Sequence, residues 1–206
     1  GDGALTIVSG AESGEFTTDE FVRLTGVAGE NLGRDIVLPG DVNGGGVDDL
    51  LLGAPSATVT SAETGESFSQ AGMVRVYFGP LNELDNLDEP DAEVLGPHGN
   101  AYLGRNMGQI GDFDGDGIDD ILAGGFNIKN VVGQRVGAAY LLAGAGFDRG
   151  DTIDGASPGA VDLIIYGENE YDRFGVAMTA IDWSGDGLPD IVISALEGSL
   201  GKGALY

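Results

Sequence analysis

The sequence predicts an all-β chain, a β-propeller of four-stranded antiparallel blades, and three observations predict it. One long internal repeat runs through the chain, with GDVNGGGVDD at 40–49 returning as GDFDGDGIDD at 111–120 and IDWSGDGLPD at 181–190. Each copy divides into four short, β-rich segments. Glycine supplies 38 of 206 residues, well above a usual ~7%, so the segments are separated by many tight turns. A repeat of this size with four strands matches one propeller blade carrying long loops. A two-sheet sandwich also holds many short strands, but it has no use for so long a repeat.

The chain opens in mid-repeat. GALTIVSG at 3–10 matches GMVRVYFG at 72–79, GAAYLLAG at 137–144 and the closing GALY at 203–206. Residues 1–25 therefore read as the end of a preceding blade, 26–96 and 97–167 as two blades, and 168–206 as an incomplete one. About three blades are expected, as one propeller segment of a larger ring. Each unit begins near a glycine (Gly26, Gly96, Gly167) and continues to a large apolar residue followed by glycine: Leu32-Gly33, Leu103-Gly104 and Phe174-Gly175.

In the second repeat the strands are expected at 104–110, 118–124, 137–143 and 160–167. They are rich in Val, Ile, Leu and Tyr and bounded by Gly, Asp, Asn and Pro. No window carries a helical period with caps. Tyr77, Tyr140 and Tyr206 are read as packing residues at equivalent strand positions rather than as a sugar platform.

Composition narrows the function. The chain carries 34 acidic and 9 basic residues, a net charge of −25. That balance argues against nucleic acid, which needs Lys and Arg to displace phosphate counterions. No long apolar run offers a membrane span, and no basic segment leads into an apolar one as in a signal peptide. The absence of cysteine removes disulfides, thiolate metal sites and Cys nucleophiles. Few lysines with a large carboxylate excess fit a salty, extracellular setting.

The sharpest chemistry lies in the three loops at 40–49, 111–120 and 181–190, whose first aspartates are Asp41, Asp112 and Asp182. In the second, Asp112, Asp114, Asp116 and Asp120 hold positions 1, 3, 5 and 9. Alternate carboxylates on a tightly turning chain converge on one point, and glycine at position 6 permits the positive φ of such a turn. Ile118 at position 7 offers its carbonyl, with its apolar side chain expected to point into the blade. This all-oxygen donor set suits Ca²⁺ better than Mg²⁺, which keeps several waters.

The first loop offers Asp41, Asn43 and Asp49, with the Val47 carbonyl. Gly45 stands at position 5, where a side-chain ligand is missing and water would substitute. The third offers Asp182, Ser184, Asp186 and Asp190, with the Leu188 carbonyl. Up to three Ca²⁺ are expected, held most tightly at 112–120. The rival reading is a set of solvated Asx turns without metal; three matches in register favour the metal. An EF-hand is excluded, because its last acid falls at position 12 and helices flank it.

These features together resemble the FG-GAP repeat of the integrin α-subunit propeller and its bacterial and archaeal relatives. Phe174-Gly175 supplies the FG element, with Leu32-Gly33 and Leu103-Gly104 as near matches. Gly53-Ala54-Pro55 supplies GAP, with degenerate versions at Ala123-Gly124-Gly125 and Ser194-Ala195-Leu196. The resemblance implies a β-propeller, usually of seven blades, with Ca²⁺ in loops on one face. Gly45 and Ser184 depart from the pattern. It further implies a secreted or cell-surface protein acting in adhesion or in binding a protein or glycan ligand, or an accessory propeller of an extracellular carbohydrate-active enzyme, or a structural subunit of an extracellular assembly. The remaining blades, of the same or a longer chain, are the other expected partner.

Catalysis finds little support. His98 is the lone histidine, read as a surface turn residue. No serine sits in G-x-S-x-G, and no G-x-G-x-x-G opens a helix. In the pairs Asp48-Asp49 and Asp119-Asp120 the second member is read as a ligand and the first as facing solvent. The acidic run Glu83, Asp85, Asp88, Glu89, Asp91, Glu93 is read as a solvated loop. A non-enzymatic module is expected.

Overall fold

The structure, a computed structural model, describes residues 4–7, 22–80, 89–197 and 203–205. In chain order its strands are β1 (Ala4–Ile7), β2 (Val22–Thr25), β3 (Ile36–Gly40), β4 (Asp49–Ala54), β5 (Val59–Thr60), β6 (Ser67–Phe68), β7 (Met73–Tyr77), β8 (Ala92–Leu95), β9 (Asn106–Gln109), β10 (Ile121–Gly125), β11 (Ala138–Leu142), β12 (Asp151–Asp154), β13 (Leu163–Tyr166), β14 (Phe174–Ile181), β15 (Asp190–Ala195) and β16 (Ala204–Leu205). A 3-10 turn at Gly144–Gly146 is the one helical element among the described residues.

The chain is all-β, as expected, and its sheets have the arrangement of a partial β-propeller. The first sheet is β1-β2. The second runs β12-β8-β7-β4-β3, the third β13-β11-β10-β9 and the fourth β14-β15-β16; β5-β6 is a separate hairpin. Among these strands all pairings are antiparallel except β12 on β8. The leading strands of successive sheets adjoin each other, β3 beside β9 and β9 beside β14.

The core lies between sheets, and strand alternation divides it. Leu51 of β4 packs with Val74, Val94, Met107, Ile121 and Tyr140 between the second and third sheets. Its neighbours Leu50 and Leu52 face the other way, toward Leu24 of the first sheet. β10 and β11 repeat this: Ile121 and Tyr140 face back, while Leu122, Ala139 and Leu141 pack forward on Phe174 and Ile193. Successive side chains of a strand point to opposite faces. A strand covered on both faces therefore reads as an unbroken apolar run, as in LLLGA and ILAGG.

Two glycine pairs set how closely the sheets approach. A Cβ on Gly53 would overlap the Gly104 carbonyl oxygen, and one on Gly124 would collide with that of Gly175. In both pairs the glycine of a GAP-like segment meets the glycine of the next FG-like turn, backbone against backbone.

The four strands expected in the second repeat appear as β9, β10, β11 and β13. β12 was not legible, because Asp-Thr-Ile-Asp is short and polar and is stabilised by pairing with β8, at the end of the preceding repeat. Tyr77 and Tyr140 are both buried, but their positions are not equivalent. Tyr77 faces Leu50 across β4, as Leu142 faces Ile121, whereas Tyr140 corresponds to Arg75. Tyr206 lies outside the described residues. So do Glu83, Asp85 and Asp88 of the acidic run. Asp91 of that run is not merely solvated: it accepts from the Phe78 N–H (2.7 Å) and pairs with Arg149.

Candidate metal centre

The three acidic loops connect the leading strand of each sheet to the next: β3 to β4, β9 to β10, β14 to β15. All three wrap their backbone around the position-1 aspartate. In the second loop Asp112 Oδ1 accepts from Gly115 N (2.7 Å) and Asp116 N (3.0 Å), and Oδ2 from Gly117 N (2.9 Å). Asp41 accepts from Gly45 N and Gly46 N, and Asp182 from Gly185 N and Gly187 N. Glycine is left-handed at position 6, as expected (Gly46, Gly117, Gly187), and also at position 4 (Gly44, Gly115, Gly185). The position-4 glycine stands in all three loops and is the sequence signal of this second left-handed turn.

The second loop brings Asp112, Asp114 and Asp116 together, with one carboxylate oxygen of each within 4.8 Å of the others. Three converging carboxylates form a hard, oxygen-only donor set, which fits Ca²⁺. Asp114 Oδ1 also accepts from Asp116 N (3.1 Å), and Asp116 Oδ1 from Ile118 N (2.8 Å). In the first loop Asp41 and Asn43 both turn an oxygen onto Gly45 N. In the third, Asp186 accepts from Leu188 N, and Ser184 N donates to Asp190.

The position-9 aspartates sit at the roots of the loops. Asp49 and Asp120 are fully buried. Asp49 holds Val42 N (2.9 Å) and Gly79 N (2.8 Å); Asp120 holds Phe113 N (2.7 Å) and Gly144 N (2.8 Å). Asp190, less buried, holds Trp183 N and Ser184 N. Burial pushes the Asp49 and Asp120 carboxyls above the usual carboxylate range, while their N–H donors pull the other way. Asp49 and Asp120 thus each tie their loop to the strand end behind it.

The side chains at positions 7 and 8 reach further than expected. Ile118 reaches two neighbours: its Cγ2 lies against Gly144 at the end of its own sheet, 2.8 Å from where a Cβ there would stand. Its Cδ1 lies 3.2 Å from where a Cβ on Gly44 would stand, so it covers the first loop. Leu188 covers Gly115 of the second loop in the same way, at 3.3 Å. Val47 lies against Gly79 as Ile118 lies against Gly144. Asp119 does not simply face solvent: its carboxylate accepts from Asp41 N at 2.9 Å. Neighbouring loops therefore touch through the side chains of Ile118, Leu188 and Asp119, because adjacent sheets bring them side by side.

At the opposite end of the sheets, His98 is half-buried rather than a free turn residue. Its Nε2 accepts from Lys129 N (3.0 Å), and its Nδ1 lies 3.0 Å from Gly99 O. Burial lowers its pKa, as do the charges of Lys129 and Arg135.

No family model matches the chain. It is similar to integrin alpha pat-2 of Caenorhabditis briggsae, 28% identical over 75% of this chain and 12% of that protein. It is similar to integrin alpha pat-2 of Caenorhabditis elegans, 28% identical over 81% of this chain and 13% of that protein. It is also similar to phosphatidylinositol-glycan-specific phospholipase D of Dictyostelium discoideum, 26% identical over 87% of this chain and 20% of that protein. The chain spans a fifth or less of the length of these relatives. Likeness to integrin alpha over most of the chain points to an integrin-alpha or FG-GAP-like fold. No helix among the described residues is long and apolar enough to cross a membrane.

Proposed function

We propose that this chain is a non-enzymatic, Ca²⁺-binding FG-GAP-type propeller module, of the bacterial or archaeal kind, from a secreted or cell-surface protein. Its work is adhesion or the binding of a protein or glycan. The observation that carries the reading is the convergence of Asp112, Asp114 and Asp116 in one of three loops that share register and backbone wrap. Asp41, Asn43 and Asp49 would hold a second ion, and Asp182, Ser184, Asp186 and Asp190 a third. Ca²⁺ supplies no chemistry here beyond charge neutralisation and loop ordering. The likeness to integrin alpha supports an adhesion role. Leu196 and Leu205, exposed at the far side of the fourth sheet, suit the remaining blades as partners. Within the module, 26–96, 97–167 and 168–206 are the successive repeat units.

Calorimetric titration of chelator-treated protein tests the metal reading. At least one site tighter than millimolar is expected, and absence of any Ca²⁺ heat overturns it. A second reading, an accessory propeller of an extracellular enzyme, is favoured by the likeness to a phospholipase D over 87% of this chain. A catalytic domain in the full gene product would select it.

A further inference from the structure

The second and third sheets are successive copies of one repeat, yet the outer edge of the second is covered and that of the third is open among the described residues. β12, from the connection between β11 and β13, lies parallel on β8, with Asp151 opposite Ala92 and Asp154 opposite Leu95. Gly150 N donates to Asp91 O (2.6 Å) and Gly155 N to Leu95 O (3.1 Å). Arg149 pairs with the Asp91 carboxylate. Asp154 accepts from the Ser61 hydroxyl (2.7 Å) and Ala62 N (3.1 Å), at the tip of the β5-β6 hairpin. One segment, 149–157, thus seals a strand edge, a carboxylate and a hairpin tip.

Each of the features that this segment seals recurs in the third sheet. β13 stands where β8 stood, and Asp162 corresponds to Asp91. One oxygen of Asp91 holds Phe78 N (2.7 Å), and one oxygen of Asp162 holds the corresponding Ala143 N (2.9 Å). The other oxygen of Asp91 takes Arg149. The other oxygen of Asp162 has no partner among the described residues.

The hairpin tip recurs as well. Ser61 N bonds Glu66 O, and Gly65 N bonds Ser61 O; in the third sheet Asn130 N bonds Gln134 O, and Gly133 N bonds Asn130 O. In the first of these hairpins Asp154 covers the tip. In the second, Val131 and Val132 stand 91% and 75% exposed. β13 pairs only with β11 among the described residues, and its Leu163 is 43% exposed where the matching Ala92 is buried. An open strand edge offers a row of backbone donors and acceptors to another strand.

We propose that the outer edge of the third sheet is a strand-docking site for an extended polypeptide segment lying parallel to β13. The matched segment has a cation for Asp162, an aliphatic residue over the sheet, and, just beyond that residue, a hydrogen-bond acceptor for the Asn130–Val132 turn. That is the chemistry of Arg149, Ile153 and Asp154 on the second sheet. The occupant is the corresponding segment of a further repeat of this kind, which locks one repeat unit to the next as β12 does.

A peptide of the sequence 149–157, titrated to millimolar concentration into the isotope-labelled full chain, tests this. The amides of 162–166 should exchange about threefold more slowly, and the Val131 and Val132 resonances should shift in step. Asp162→Asn keeps the acceptor for Ala143 N but removes the charge, and should weaken peptide binding about threefold to tenfold. A scrambled peptide should neither protect these amides nor shift these resonances. The proposal is overturned if 162–166 stay unprotected, if the scrambled peptide binds as well, or if the peptide instead displaces β12 and perturbs 92–95.

Discussion

Asp119 and Asp41 are joined twice across adjacent loops. Asp119 N donates to the Asp41 carbonyl at 3.0 Å, and Asp41 N donates to the Asp119 carboxylate at 2.9 Å. Asp41 is also the residue around which the first loop wraps. The second loop therefore braces the first at its leading candidate ligand. Asp119→Ala removes the charged acceptor and leaves the backbone bond. A loss of about 1 kcal/mol in unfolding free energy is expected, since the acceptor is partly solvated. Metal affinity at the first loop should fall while that at 112–120 holds. Chemical denaturation and a two-site calorimetric fit check both; equal loss at both loops would contradict the brace.

Metal removal should lower stability, because a ligand that binds only the folded state stabilises it by mass action. At a free Ca²⁺ concentration about a hundredfold above the dissociation constant, the gain is about 2.7 kcal/mol, or roughly 5–10 °C for a chain of this size. EDTA should lower the melting temperature by that order. Asp116→Ala, which removes one of the three converging carboxylates, should abolish most of the EDTA effect. A melting curve unmoved by EDTA at low salt would leave the loops as Asx turns without metal.

Contact between Gly53 and Gly104 gives a physical reason for the FG-like and GAP-like motifs, and a third prediction. Gly53→Ala places a methyl group onto the Gly104 carbonyl, which is backbone and cannot swing aside. Separating the sheets there also loosens the Leu51 and Leu52 layers. A loss of about 3 kcal/mol is expected, read as a shift in denaturant midpoint. Gly146→Ala, where nothing stands within 4 Å of the added carbon and φ is not left-handed, serves as the mild control.

Much of this architecture was legible because it repeats. The acidic loops, the glycine pairs and the strands β9, β10, β11 and β13 could each be checked against another copy of the same unit. What was missed does not repeat locally. β12 is polar and owes its conformation to β8, Asp91, Ser61 and Ala62. The role of the Asp119 side chain is not legible locally, because its partner, Asp41, belongs to the preceding repeat and is reached only once two sheets lie side by side. Ile118 extends beyond its own sheet for the same reason: a branched side chain beside a loop glycine can cover a neighbouring loop as well as its own sheet.

The final prediction concerns pH at the end of the sheets away from the acidic loops. His98 Nε2 accepts from Lys129 N, so the folded protein holds this ring neutral. Burial, with Lys129 and Arg135 nearby, depresses its folded pKa below the ordinary 6.5. The unfolded state, with the ordinary value, then binds more protons between the folded pKa and 6.5, so stability rises with pH across that window. The stabilisation is fully present above 6.5 and is lost as pH falls through 6.5 toward the folded value. Asp49 and Asp120 act in the opposite sense. Their folded pKa values are raised, so their contribution is fully present below 3.8 and is lost as pH rises through the folded values. Only a difference between variants isolates the histidine. His98→Gln keeps a side-chain acceptor but cannot titrate. Its stability relative to the wild type should improve steadily as pH is lowered below 6.5, and should be constant above about pH 7.5. Unfolding free energies measured for both proteins in EDTA, at closely spaced pH values, check it. A difference that does not change below pH 6.5 would mean that His98 is solvated in the folded chain and that its bond to Lys129 N does not hold the ring neutral.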